Sequence, residues 1–80
     1  MNLYTVFDVI ADEAGPLFEA KNDRVAVRQY QNLLSQSRLD ASEYKLYQVG
    51  VFNHDSMELS DLQTREIKYN TEVEDGKQGI

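Results

Sequence analysis

The apolar positions of this chain change period several times, and each change marks an element. Leu3 to Ile10 is rich in Tyr, Val, Phe and Ile, residues that fill a pleated surface. Leu3, Phe7 and Val9 fall on one face, with Tyr4, Val6 and Ile10 on the other. With both faces largely apolar, the segment predicts a central strand covered on both sides. Asp12 to Pro16 predicts a turn, because Gly permits unusual backbone angles and Pro cannot donate to a ladder. Leu17 to Ala20 then predicts a short strand pairing back on the first.

The period next becomes helical. Asn22 is a good N-cap, able to accept an orphan backbone N–H, and Asp23 in the first turn suits the helix dipole. From Asp23 to about Ser37, the residues Ala26, Val27, Tyr30, Leu33 and Leu34 share one arc of about 120°. Arg24, Arg28, Gln31 and Ser35 share the opposite side. A polar connection from Arg38 to Glu43 leads to a second strong strand, Tyr44 to Phe52. Strict alternation there puts Tyr47, Val49 and Val51 on one side and Leu46, Gln48, Gly50 and Phe52 on the other. Gly50 marks a bulge or a close approach of backbone.

Asn53 to Ser56 reads as a turn. Met57 to Thr64 fits a short strand, a helical turn or a loop. Arg65 to Val73 alternates, with Ile67, Tyr69, Thr71 and Val73 against Glu66, Lys68, Asn70 and Glu72. It predicts a strand with one wet face. The expected fold is α+β: one small domain over residues 1–73, followed by a polar, flexible tail at 74–80. One helix packs on a mostly antiparallel sheet of three to five strands in the order β-β-α-β-β.

Eighty residues leave no room for a second core, and a chain this short buries only roughly 60% of its unfolded surface. Without cysteine it has no disulfide staple and no thiolate metal site. Oligomerisation is a usual remedy in so small a chain, so a homodimer is expected. No apolar stretch approaches the roughly 20 residues that span a bilayer, and the N-terminus lacks the basic and apolar regions of a signal peptide. These features predict a soluble intracellular domain with no membrane partner.

Charge adds an asymmetry. Residues 21–45 carry five of the eight basic side chains (Lys21, Arg24, Arg28, Arg38 and Lys45) against Asp23, Asp40 and Glu43. The other residues hold eleven acids and three bases, so a weakly basic helical region sits in a chain of net charge −6. Single-strand nucleic-acid binders combine a basic track with aromatic side chains on which bases stack. The basic candidates are Lys21, Asn22, Arg24, Arg28, Arg38 and Lys45. Tyr44 and Tyr69, beside charged neighbours, are the candidate stacking residues. A solvated helix face with core tyrosines explains the same pattern without a ligand.

Other chemistry is sparse. His54 and Asp55 lie in a hydrophilic turn with no nucleophile assignable beside them. Asp55, Glu58 and Asp61 lack the central Gly and terminal Glu of a calcium loop, and read as a solvated acidic loop. The stretch Lys21-Asn22-Asp23-Arg24 opens a helix where backbone N–H groups can hold an anion, although capping alone accounts for Asn22. No catalytic, metal or cofactor constellation stands out, so a non-enzymatic role is expected.

Four segments together resemble a known family: Met1-Asn2-Leu3-Tyr4-Thr5-Val6-Phe7-Asp8, Gly15-Pro16-Leu17-Phe18, Ala20-Lys21-Asn22-Asp23 with Ala26 and Arg28, and Tyr44 through Phe52. They are similar to the small non-structural protein of gokushovirus-type microviruses, single-stranded DNA phages, over roughly residues 1–53. The resemblance implies a phage accessory protein acting near the viral genome during replication or packaging, in the cytoplasm of a bacterial host. It implies no catalytic residues, and it matches Lys21, Asn22 and Arg28 at the helix start. Single-stranded DNA is therefore the first expected partner. The alternative is an acidic interaction module that docks on a basic host or viral protein, through Asp55, Glu58, Asp61, Glu72, Glu74 and Asp75.

Overall fold

The computed structural model describes residues 1–69. Strands β1 (Asn2–Asp8) and β2 (Glu13–Ala20) are followed by helix α1 (Asp23–Gln36) and a single 3-10 turn (Ala41–Glu43). Strands β3 (Tyr44–Asn53), β4 (Glu58–Ser60) and β5 (Arg65–Glu66) complete the order. The sheet runs β2-β1-β3-β4, with β5 also pairing on β3, and every pairing is antiparallel. One helix on an antiparallel sheet, in β-β-α-β-β order, is the α+β architecture expected from the sequence.

Strand β1 is central, but two residues shorter than its apolar pattern. Asp8 Oδ1 accepts the backbone N–H groups of Ile10 and Ala11, each at 3.0 Å, and that turn leaves Val9 and Ile10 exposed. Strand β2 starts at Glu13, so Gly15 and Pro16 lie inside a strand rather than in a turn. Pro16 is tolerated because β2 is a sheet edge, where a missing N–H leaves no ladder bond unmade. The β1–β2 register slips between Thr5 and Phe7, and the Thr5 hydroxyl donates to the Gly15 carbonyl at 2.9 Å.

The helix begins as its cap predicts, with Val25 N–H donating to Asn22 Oδ1 at 2.9 Å. It ends in a pair of bonds, Leu39 N–H to Leu34 O and Arg38 N–H to Ser35 O, with Arg38 in the left-handed region at φ 54°. This is the Schellman arrangement, in which glycine is the usual occupant. Ala26, Tyr30 and Leu34 bury against Tyr4, Ala20, Leu46 and Ile67 to form the core. Leu33, although on the apolar arc, remains exposed.

Strand β3 carries a bulge. Leu3 pairs with Gly50 while Tyr4 pairs with Gln48, leaving Val49 as the extra residue. Cross-strand partners share a face, so the strict alternation expected for β3 breaks at Val49. Val51 joins the helix-side face, and Gly50 and Phe52 join the face of Tyr47. A Cβ at Gly50 would lie 3.0 Å from Leu62 Cδ2 and 3.3 Å from the Ser60 carbonyl oxygen. The link from β4 to β5 thus crosses close over Gly50.

The last expected strand is truncated. β5 spans two residues, Arg65 and Glu66, and Ile67 N–H adds one bond to Leu46 O at 2.8 Å. Residues 70–73, and the tail at 74–80, lie outside the described residues. The cover expected on both faces of β1 is present on one. Helix α1 packs over Tyr4 and Val6, whereas on the face of Leu3 and Phe7 the cover among the described residues is the β4–β5 link at Gly50.

Candidate nucleic-acid interface

The helix side of the sheet holds a groove of about 830 Å³ between α1 and the segment Arg65–Tyr69. Its helix wall carries Asn22, Arg24, Arg28 and Gln31, and its other wall carries Arg65, Ile67, Lys68 and Tyr69. Arg24, Arg28 and Gln31 line up because residues four and three apart share a helix face. The polar stripe opposite the apolar arc is therefore a groove wall, and Arg65 and Lys68 add two cations that helical periodicity could not reveal.

The groove's end is fixed by a polar network. The buried Tyr4 hydroxyl donates to Asp23 Oδ1 at 2.7 Å, and Asn2 Nδ2 donates to the Tyr4 oxygen at 3.1 Å. Arg65 Nη2 donates to both Asp23 oxygens, at 3.3 and 3.2 Å, and also to Gln48 Oε1. Asp23 is thus held by Tyr4 and Arg65. Lys68 Nζ lies 3.3 Å from Glu66 Oε1. Among the described residues, neither Arg24 nor Arg28 has a carboxylate within ion-pair distance. Both guanidiniums are exposed and, being always charged forks of N–H donors, suit phosphate oxygens.

Burial raises the Tyr4 phenol above its ordinary pKa; the Asn2 hydrogen bond opposes that shift and Asp23 adds to it. Burial also raises Tyr30, with a further contribution from Tyr69. Tyr69 packs edge-on against Tyr30, ring centroids 5.9 Å apart at 78°, and keeps 37% of its surface exposed. It presents an anchored aromatic surface at the groove wall.

The sequence candidates divide. Asn22, Arg24, Arg28 and Tyr69 line the groove, and Lys21 is exposed immediately before it. Arg38 stands at the opposite end of a 14-residue helix, about 20 Å away. Lys45 pairs with Phe7 on the sheet face away from α1. Tyr44 pairs with Asp8 at the far end of β1 and packs half-buried against the core, so it offers no platform beside the arginines. Burial raises its phenol too, with Asp8 and Glu43 adding.

Asp55, Glu58 and Asp61 are exposed and spread over the β3–β4 turn, β4 and the following loop. Among the described residues no group of three His, Cys, Asp or Glu side chains is placed to hold a metal ion. Glu72, Glu74 and Asp75 lie outside the described residues. His54 Nε2 sits 2.6 Å from Glu19 Oε2 and its ring packs edge-on against Phe52, which ties the β3–β4 turn to β2. Among the described residues no helix is long and apolar enough to cross a membrane.

A family model described as Phage ORF5 protein matches residues 1–73. The chain belongs to this phage protein family. Neither a curated protein nor a solved structure matches it. In this ORF5-family protein the matched span contains both walls of the groove and the whole core.

Proposed function

We propose that this ORF5-family phage accessory protein binds single-stranded DNA, the genome of a microvirus-type phage, through the groove between α1 and Arg65–Tyr69. Its role is binding without catalysis, in the cytoplasm of the infected bacterium, during genome replication or packaging. The observation that carries this reading is the pair of exposed arginines, Arg24 and Arg28, facing the partly exposed Tyr69 across one groove. Guanidiniums neutralise phosphates, and an anchored tyrosine stacks a base without sequence preference. A net charge of −6 confines such affinity to this patch and makes it strongly salt-dependent.

Titration of a labelled oligothymidine across a salt series tests the reading. With Lys21, Arg24 and Arg28 neutralising phosphates, log affinity falls against log salt with a slope of about −2. Arg24→Glu with Arg28→Glu abolishes binding while the fold is retained, because both side chains are exposed. Undiminished affinity in that variant rules out the groove. Absence of binding by the wild-type chain at low salt would instead favour docking of the acidic surface on a basic protein.

A further inference from the structure

We infer that the sheet face turned away from α1 is a self-association surface, and that the working unit is a face-to-face homodimer. Cross-strand register places Leu3, Thr5 and Phe7 of β1 on this face, with Leu17 and Glu19 of β2, Lys45, Tyr47 and Phe52 of β3, and Leu59 of β4. A solvated face of an antiparallel sheet is normally polar. This one is mainly apolar. Phe7 and Tyr47 form an edge-to-face pair at 6.1 Å in its middle. Leu17 at one flank is 60% exposed, and Leu59 and Leu62 at the other are 54% and 66% exposed.

The size of the face suits a weak dimer. Strands β1, β2 and β3, seven, eight and ten residues long, span roughly 330 Å² in projection over seven residues at about 3.3 Å each and about 4.8 Å between strands, and the three residues of β4 extend it. That is below the roughly 800 Å² per partner of a standard interface and fits the small, concentration-dependent class.

Charge points to a second copy. The chain carries −6, yet the register puts only Glu19, Lys45 and Glu66 among the charged residues of this face. Glu19 and Lys45 are of opposite sign and Glu66 is paired with Lys68, so two copies meet here without the repulsion that their remaining surface imposes. Pairing through the edge of β2 is a poor alternative, because Pro16 lies within that strand and interrupts a new ladder. Aligned sheet-on-sheet packing gives each protomer cover on the sheet face that α1 leaves open. If the groove binds DNA as proposed above, the dimer carries two such grooves on opposite outer surfaces and can bridge two stretches of one strand.

Sedimentation equilibrium from the micromolar to the near-millimolar range, without nucleic acid, tests the dimer separately from the groove. The expected result is twice the chain mass for the wild type and for Arg24→Glu with Arg28→Glu. The variant Leu17→Lys with Leu59→Lys, altered at exposed positions, gives the single-chain mass with an unchanged far-ultraviolet circular dichroism spectrum. A monomeric wild type throughout the range, or a lysine variant that still dimerises, overturns the inference. Should the lysine variant fail to fold, amide shifts of the wild type on dilution decide. Changes confined to β1, β2, β3 and β4 support the face, and changes confined to α1, or none, overturn it.

Discussion

The hydroxyl of Tyr4, in the middle of the sheet, donates a 2.7 Å hydrogen bond to the carboxylate of Asp23 in the first turn of α1. Tyr4 is fully buried, so one side chain fills the core and orients the start of the helix. Asp23 in turn engages Arg65, which joins the two walls of the groove.

Tyr4→Phe keeps the ring and removes the bond. A hydrogen bond to a charged group contributes roughly 1.5–3 kcal/mol, and Asp23 retains Arg65 in the variant, so the expected loss in urea unfolding at pH 7 is near the lower end. The pH dependence has a definite sign. Burial raises the folded-state pKa of Tyr4, so its contribution is fully present below the unfolded tyrosine value of about 10 and is lost as pH rises through the folded value. Above pH about 10 the variant therefore loses stability less steeply than the wild type, Tyr30 and Tyr44 supplying the remaining alkaline sensitivity. An identical alkaline slope in both proteins would remove Tyr4 from the account.

Gly50→Ala destabilises the domain by about 1–3 kcal/mol, the range for overpacking, since its Cβ meets Leu62 Cδ2 and the Ser60 carbonyl. Leu62→Ala in the same chain recovers part of that loss, because a side-chain end yields more readily than a backbone carbonyl. A double-mutant cycle by chemical denaturation measures this coupling. Strict additivity would mean that Leu62 does not constrain Gly50.

Arg38→Gly stabilises the protein by about 1 kcal/mol, because Arg38 occupies a left-handed position that glycine adopts without the Cβ penalty. The same variant leaves oligothymidine affinity unchanged, the arginine being a helix length away from the groove. Thermal unfolding and the binding titration check the two halves independently.

The sequence made α1 legible because several signals agree there: the Asn22 cap, the apolar arc and the polar stripe of Arg24 and Arg28. The central position of β1 was readable from its two apolar faces. What escaped detection depends on pairing over long separations. The Val49 bulge exists because of register with β1, and the inclusion of Pro16 in β2 depends on that strand being an edge. In the site, Arg24 and Arg28 were visible from periodicity, whereas Arg65 joined them only through pairing of β5 with β3. Lys45 and Arg38 are close to the arginines in charge count and sequence, but the sheet and the helix length separate them in space.

The fourth position in the sheet is shared by β4 and β5, two short pieces on one side of β3, with the link between them crossing at Gly50. An incoming strand finds no long ladder there, and the opposite edge is interrupted by Pro16. Polymerisation into cross-β fibrils needs uninterrupted strands stacked in register, and neither border of this sheet offers one. A phage protein built in this way has its sheet growth halted at both sides.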